Sequence, residues 1–124
     1  KLKHLDELTA ERRKDALRYL IEIKNPKIKL PEMQFGELGH VFHLFVVYIE
    51  DRDNFMKYCN QKGIELKIHY PQPPHLSTAY EYLGYHVNDF PITEKMADHI
   101  VSLPLYNGME TEKLEYVINV FNQY

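Results

Sequence analysis

Residues 40–50 read His-Val-Phe-His-Leu-Phe-Val-Val-Tyr-Ile-Glu, and they constrain the fold more than any other stretch of the chain. Successive side chains of a strand point to opposite faces of a sheet. The odd positions carry Val41, His43, Phe45, Val47 and Ile49, and the even positions carry Phe42, Leu44, Val46 and Tyr48. Both faces are apolar, so the strand is expected to be covered on both sides. One layer of helices from this chain covers one face. The other requires more chain or another subunit.

Helices and strands alternate around this strand. Leu5, Leu8, Ala16, Tyr19, Leu20 and Ile23 recur at helical steps and predict a helix over 2–24, ended by Asn25-Pro26. No capping residue opens it, and Lys1 and Lys3 place positive charge at the positive end of the dipole. A helix that begins upstream would explain this start, as would a frayed terminus. A short strand is expected over 27–30, then a loop over 31–39 punctuated by Gly36 and Gly39. Asp51 and Asp53 are candidate N-caps for a helix through Lys62, with Phe55, Met56 and Cys59 buried and Gly63 as its stop. Residues 64–70 alternate, with Ile64, Leu66, Ile68 and Tyr70 on one face and Glu65, Lys67 and His69 on the other. A short helix over 79–83 stops at Gly84, and Pro91 opens another through Val101. A strand over 102–106, a turn at Asn107-Gly108 and a final helix with Leu114, Val117, Ile118 and Phe121 buried complete the pattern. The expected class is α/β, an α+β sandwich: a small mixed or antiparallel sheet of three to four strands with helices on one side.

Several function classes are excluded. Fifteen basic against eighteen acidic residues give −3, which offers no nucleic-acid grip. The longest apolar run, 44–49, is too short to span a bilayer. Cys59 is the single cysteine and has no internal disulfide partner, which fits a cytoplasmic protein. His40 and His43 point to opposite faces of a strand, so they cannot share one metal ion, and no other ligand spacing stands out. Arg12-Arg13-Lys14 is interleaved with Glu11 and Asp15 and reads as a solvated helix face. No Gly-rich phosphate loop or nucleophile elbow occurs. The ten tyrosines either rim a small core or face a ligand, and the residues leave both open. Pro71-Gln72-Pro73-Pro74-His75 makes a stiff turn with little entropy left to lose. Flanked by His69, Tyr70 and His75, that turn is a candidate binding edge.

Taken together in order, these runs resemble a family. His40-Val41-Phe42-His43-Leu44-Phe45-Val46-Val47, Gly63-Ile64-Glu65-Leu66-Lys67-Ile68-His69-Tyr70-Pro71 and Pro74-His75-Leu76 are similar to the C-terminal part of the DegT/DnrJ/StrS nucleotide-sugar aminotransferases. Leu83-Gly84-Tyr85, Asp89-Phe90-Pro91, Glu94-Lys95-Met96-Ala97 and Ser102-Leu103-Pro104-Leu105-Tyr106 follow in register. Leu5-Asp6-Glu7-Leu8 with Arg12-Arg13 is similar to the family's interdomain helix. The resemblance implies the C-terminal domain of a fold-type I aminotransferase. Residues 1–24 would be the interdomain helix, truncated upstream, and 25–124 the small domain. A large domain, absent from this sequence, would hold pyridoxal 5'-phosphate on a lysine. The implied reaction moves an amino group from glutamate to a keto-deoxysugar nucleotide, in form closest to a dTDP-3-keto-6-deoxyhexose. The implied assembly is a homodimer with active sites at its interface, without nucleic-acid or membrane partners.

No catalytic residue is assigned within these residues, and the 124 residues alone are expected to be inactive. His69, Tyr70 and His75, with Tyr80 beside them, match the family's substrate-side loop and are the candidate contacts to sugar or diphosphate. Two positions depart from the family. Tyr48 stands where many members carry Arg, and Lys67 replaces a small residue before the His-Tyr pair. The rival reading is a stand-alone α/β ligand-binding or regulatory module without catalysis.

Overall fold

Residues 2–33, 36 and 39–124 are described by the computed structural model. Lys1 and much of the predicted 31–39 loop lie outside them. The element order is α1 (Leu5–Glu22), β1 (Ile28–Lys29), β2 (Phe45–Ile49), α2 (Arg52–Gln61), α3 (Pro91–His99), β3 (Ile100–Leu103) and α4 (Thr111–Asn122). Short 3₁₀ turns occupy 2–4, 74–76 and 78–83. The sheet is antiparallel throughout in the order β1-β2-β3.

One face of the sheet carries the core. Phe45, Val47 and Ile49 of β2 and Val101 and Leu103 of β3 are buried there. Ala16, Tyr19 and Ile23 of α1, Phe55 and Cys59 of α2, and Leu114, Val117, Ile118 and Phe121 of α4 belong to the same cluster. The Tyr19 ring meets Phe45 edge-on at 5.1 Å, and its hydroxyl donates to the Pro104 carbonyl at 2.8 Å. That bond satisfies the polar end of an otherwise apolar residue. Burial pushes the Cys59 thiol up to about 12, so it is a small core residue. Maleimide is expected to label Cys59 at least about a hundredfold more slowly in the folded chain than in urea. Equal rates would place the thiol at the surface.

The strands depart from the pattern: the one expected over 27–30 is only Ile28–Lys29, the one expected over 102–106 runs Ile100–Leu103 because the preceding helix ends at His99, and two more are cut short. The strand expected over 40–50 begins only at Phe45. Phe42 has φ +49°, a left-handed conformation that costs a non-glycine residue about 1–2 kcal/mol. The turn redirects its ring into the core, where it is 1% exposed and stacks on Phe45 at 5.8 Å. Burying a Phe ring returns about 3 kcal/mol, which offsets the strain. Phe42 therefore does not share a face with Val46 and Tyr48.

The alternation over 64–70 survives as burial of Ile64 and Leu66, but the ladder is one bridge, Lys67 with Ser102. In that antiparallel register the next hydrogen-bonding pair would be Glu65 with Pro104, which has no N–H to donate. On the other side α3 runs up to His99, next to Ile100. The bridge cannot lengthen into a fourth strand.

The Arg12-Arg13 pair is a clamp rather than a solvated face. Arg12 Nη1 donates to the carbonyls of Phe42 (3.3 Å), His43 (3.4 Å) and Leu105 (3.0 Å), and Nη2 to Asn107 Oδ1 (3.2 Å). Arg13 Nε donates to the His40 carbonyl at 2.9 Å. Glu11 accepts from Asn107 Nδ2 and the Gly108 N–H, and these two bonds hold its carboxyl below the usual range. Helix α1 is thereby fastened to the turns before β2 and after β3. Its start is not covered: Leu2, Leu5 and Leu8 are exposed.

Candidate functional site

The opposite face of the sheet is where the predicted edge lies. Val46 and Tyr48 of β2 are half-buried there, and Ser102 shares that face through its pairing with Val46. Lys95 and Met96 of α3 border Val46, Tyr48 and Ile100 around a groove of about 670 Å³. A second groove, about 630 Å³, shares Met96 and Ile100 and extends along Tyr70, Pro71, Pro73 and Tyr80. The two form one open surface. A third groove of about 520 Å³, between Ile64 and α4, holds none of the predicted residues.

Three of the four predicted residues present polar atoms at or beside this surface. His69 stands at the edge of β3 with Nδ1 2.9 Å from Ser102 Oγ. Its ring meets Tyr70 edge-on at 5.4 Å, and the peptide joining them is cis. Tyr70 is 72% exposed and Tyr80 45%. Both rings line the groove beside the prolines. Two of the prolines, Pro73 and Pro74, lead into a 3₁₀ turn, which seats the loop rigidly.

His75 is placed differently. Its side chain is 8% exposed, and Nε2 lies 3.1 Å from Glu94 Oε1. Its ring packs on Phe90 at 4.8 Å. Glu94 is the hub of the segment that follows. It accepts the Asn88 N–H on both oxygens at 2.9 Å and the Phe90 N–H at 3.2 Å. The Asn88 amide, then the Phe90 amide and His75, hold the Glu94 carboxyl below the usual carboxylate range. Asp89 Oδ2 accepts the His86 N–H at 2.7 Å, and Gly84 closes the 3₁₀ turn at φ +71°. The motifs Leu83-Gly84-Tyr85, Asp89-Phe90-Pro91 and Glu94 are thus the parts that shape an arm over 78–92. Tyr82, Val87 and Ile92 stand out from this arm with their side chains exposed.

The two departures from the family pattern have physical readings. The Tyr48 ring stacks on His99 at 4.9 Å, with Lys29 Nζ 4.6 Å and Lys95 Nζ 5.9 Å from its centroid. Positive charge therefore stands at this position although residue 48 is neutral. Lys67 Nζ pairs with Glu65 at the surface and is turned to solvent. Among the described residues no group of three His, Cys, Asp or Glu side chains converges as a metal site would. No described helix is long and apolar enough to cross a membrane.

Sequence reasoning missed Glu94 and Ser102. Glu94 had a readable signal, an acid placed to reach back over the start of a Pro-opened helix. Ser102 had none, since its partner is 33 residues away.

The arrangement matches a known group over nearly its whole length. The sequence profile of the DegT/DnrJ/EryC1/StrS aminotransferase family matches residues 1–122. The chain belongs to this family. Among family relatives, a dTDP-3-amino-3,6-dideoxy-alpha-D-galactopyranose transaminase of Aneurinibacillus thermoaerophilus is 40% identical over 124 residues, all of this chain and 33% of the relative. The structure of DesV from S. venezuelae in complex with a ketimine intermediate superposes with a TM-score of 0.91 at 32% identity, over 98% of this chain and 33% of that one. NtdA from Bacillus subtilis with bound cofactor PMP gives 0.83 at 27% identity, over 99% of this chain and 29% of that one. The chain spans about a third of the length of the curated relatives it matches.

Proposed function

We propose that these residues form the substrate-facing small domain of a pyridoxal-phosphate-dependent sugar aminotransferase. The complete enzyme would move an amino group from glutamate to a keto-deoxysugar nucleotide, a dTDP-3-keto-6-deoxyhexose. The observation that carries this reading is the groove beside His69, where exposed Tyr70 and Tyr80 rings stand on a proline-stiffened edge. Aromatic hydroxyls and an imidazole on a rigid edge suit a ligand rich in hydroxyl and phosphate oxygens. The likeness to a dTDP-amino-sugar transaminase over the whole chain supports the same substrate class. His69, Tyr70 and Tyr80 would contact sugar or diphosphate, and His75 would border them through the arm it holds.

No described lysine sits where its amine would be kept neutral for an imine with the cofactor. Every described lysine is exposed. A lysine that forms an imine needs a site that keeps its amine neutral. The reading therefore assigns the cofactor to chain beyond these 124 residues, and the 124 residues alone are expected to show no turnover. In this reading α1 is the interdomain helix, 25–124 is the small domain, and the exposed Leu2, Leu5 and Leu8 face the large domain. The enzyme would be a cytoplasmic homodimer, and its open sheet face and aromatic arm would be covered on assembly.

His69→Ala in the complete enzyme tests the reading. The KM for the dTDP-keto sugar should rise about tenfold, the worth of one hydrogen bond to a charged group. The visible absorption of the bound cofactor should be unchanged. Loss of that absorption would contradict a substrate role. Binding of the nucleotide sugar by the complete natural chain without turnover would favour the non-catalytic module.

A further inference from the structure

We infer that Ser102 fixes the tautomer of His69, so that the ring offers Nε2–H as a hydrogen-bond donor to a phosphate oxygen of the ligand. The tautomer follows from the fold. The choice of ligand rests on the sugar-nucleotide reading above.

Ser102 sits within β3, and its N–H and carbonyl both bond Lys67, so it faces Val46 of β2 without a hydrogen bond of its own. The N–H donates to the Lys67 carbonyl at 2.7 Å. The side chain points away from the helical core, yet the residue is only 5% exposed. Its hydroxyl lies 2.9 Å from His69 Nδ1 and has no other hydrogen-bond partner among the described residues.

A serine hydroxyl carries one hydrogen. If Nδ1 held a proton and donated it to Oγ, the buried hydroxyl hydrogen would be left without an acceptor. An unmade buried bond is the costly arrangement. If the hydroxyl donates to Nδ1, both groups are satisfied. A neutral imidazole whose Nδ1 accepts must then carry its hydrogen on Nε2. The consequence is functional. In its neutral form His69 cannot take a proton through Nε2, so it serves as a binding group and not as a base. A pure donor suits a phosphate oxygen, which is a pure acceptor at neutral pH. Ser102 is a positioning residue: it acts on the ligand only through His69.

The test is solid-state NMR of the complete protein labelled with ¹⁵N-histidine, read from the neutral-ring signals, in which the two tautomers are distinct. A His69→Asn variant identifies the signals. The Nε2–H form should outnumber the Nδ1–H form by about tenfold. In Ser102→Ala that excess should fall to less than about threefold, and Ser102→Thr, which keeps the hydroxyl, should restore it. With dTDP as probe, native protein should bind about tenfold more tightly than Ser102→Ala. A native ring in the Nδ1–H form would overturn the inference, and that measurement needs no variant to fold. An unchanged tautomer ratio in Ser102→Ala would overturn it as well. If the tautomer behaves as expected and dTDP binds but leaves the His69 Nε2 signal unmoved, the phosphate role of His69 fails; if dTDP does not bind at all, the sugar-nucleotide reading fails with it, and the tautomer assignment stands in either case.

Discussion

Arg12→Ala is expected to lower the unfolding free energy by about 3 kcal/mol. The guanidinium holds three backbone carbonyls and the Asn107 side chain together. Those groups come from two loops that are far apart in sequence, before β2 and after β3. Removing the side chain leaves part-buried carbonyls without donors, which costs more than the bonds themselves contributed. The Phe42 turn should suffer most, because its φ of +49° is held partly by the bond to its carbonyl. Arg12→Lys should recover less than half of the loss, since one ammonium cannot reach four acceptors in a fork. Arg18→Ala is the control. It breaks surface pairs with Glu22 and Glu115 and should cost less than about 1 kcal/mol. Urea unfolding followed by near-ultraviolet circular dichroism reads all three. An Arg12→Ala midpoint equal to that of Arg18→Ala would mean that the clamp adds nothing to stability.

Glu94→Ala is expected to release the aromatic arm over 78–92 without unfolding the core. The amides of Asn88 and Phe90 lose their acceptor, and His75 loses its partner. Hydrogen exchange at those two amides should accelerate by about a hundredfold, while amides of β2 and β3 keep their protection. Glu94→Gln keeps one acceptor oxygen and should fall between. Acid should act in the same direction. The Glu94 carboxyl is held below the usual range, first by the Asn88 amide. A depressed carboxylate contributes its full stabilisation above its unfolded pKa and loses it as pH falls through the lower folded value. Arm protection, corrected for intrinsic exchange, should therefore be constant through neutral pH and fall only in acid. Unchanged protection in Glu94→Ala would show that the arm is held by Phe90 and Tyr85 packing alone.

Much of this protein was legible along the chain. Helical spacing placed α1 and α4, and Ala16, Tyr19, Leu114, Val117 and Phe121 are buried as the pattern required. Pro91 and Gly84 marked where α3 begins and where the 3₁₀ turn ends, because φ preference is a local property. The family was legible too, as an ordered set of short motifs. The structure explains why short motifs sufficed: Asp89, Glu94 and Gly84 build one loop from near neighbours in sequence.

What failed were the inferences that turned on one particular partner far along the chain. The doubly apolar run over 40–50 read as one long strand, but a turn at Phe42 sends its ring to the core beneath Arg12. Residues 64–70 read as a strand, but Pro104, directly after β3, ends the ladder after one bridge. Arg12 read as solvated because its local neighbours are charged, while its acceptors lie 30 and 93 residues away. His69 could be nominated from the turn beside it, but not oriented, since Ser102 reaches it from another strand. Local preference acts through dihedrals and spacing that the sequence carries openly. Hydrogen-bond satisfaction acts between groups that only the folded chain brings within 3 Å, and the tertiary structure alone decided it.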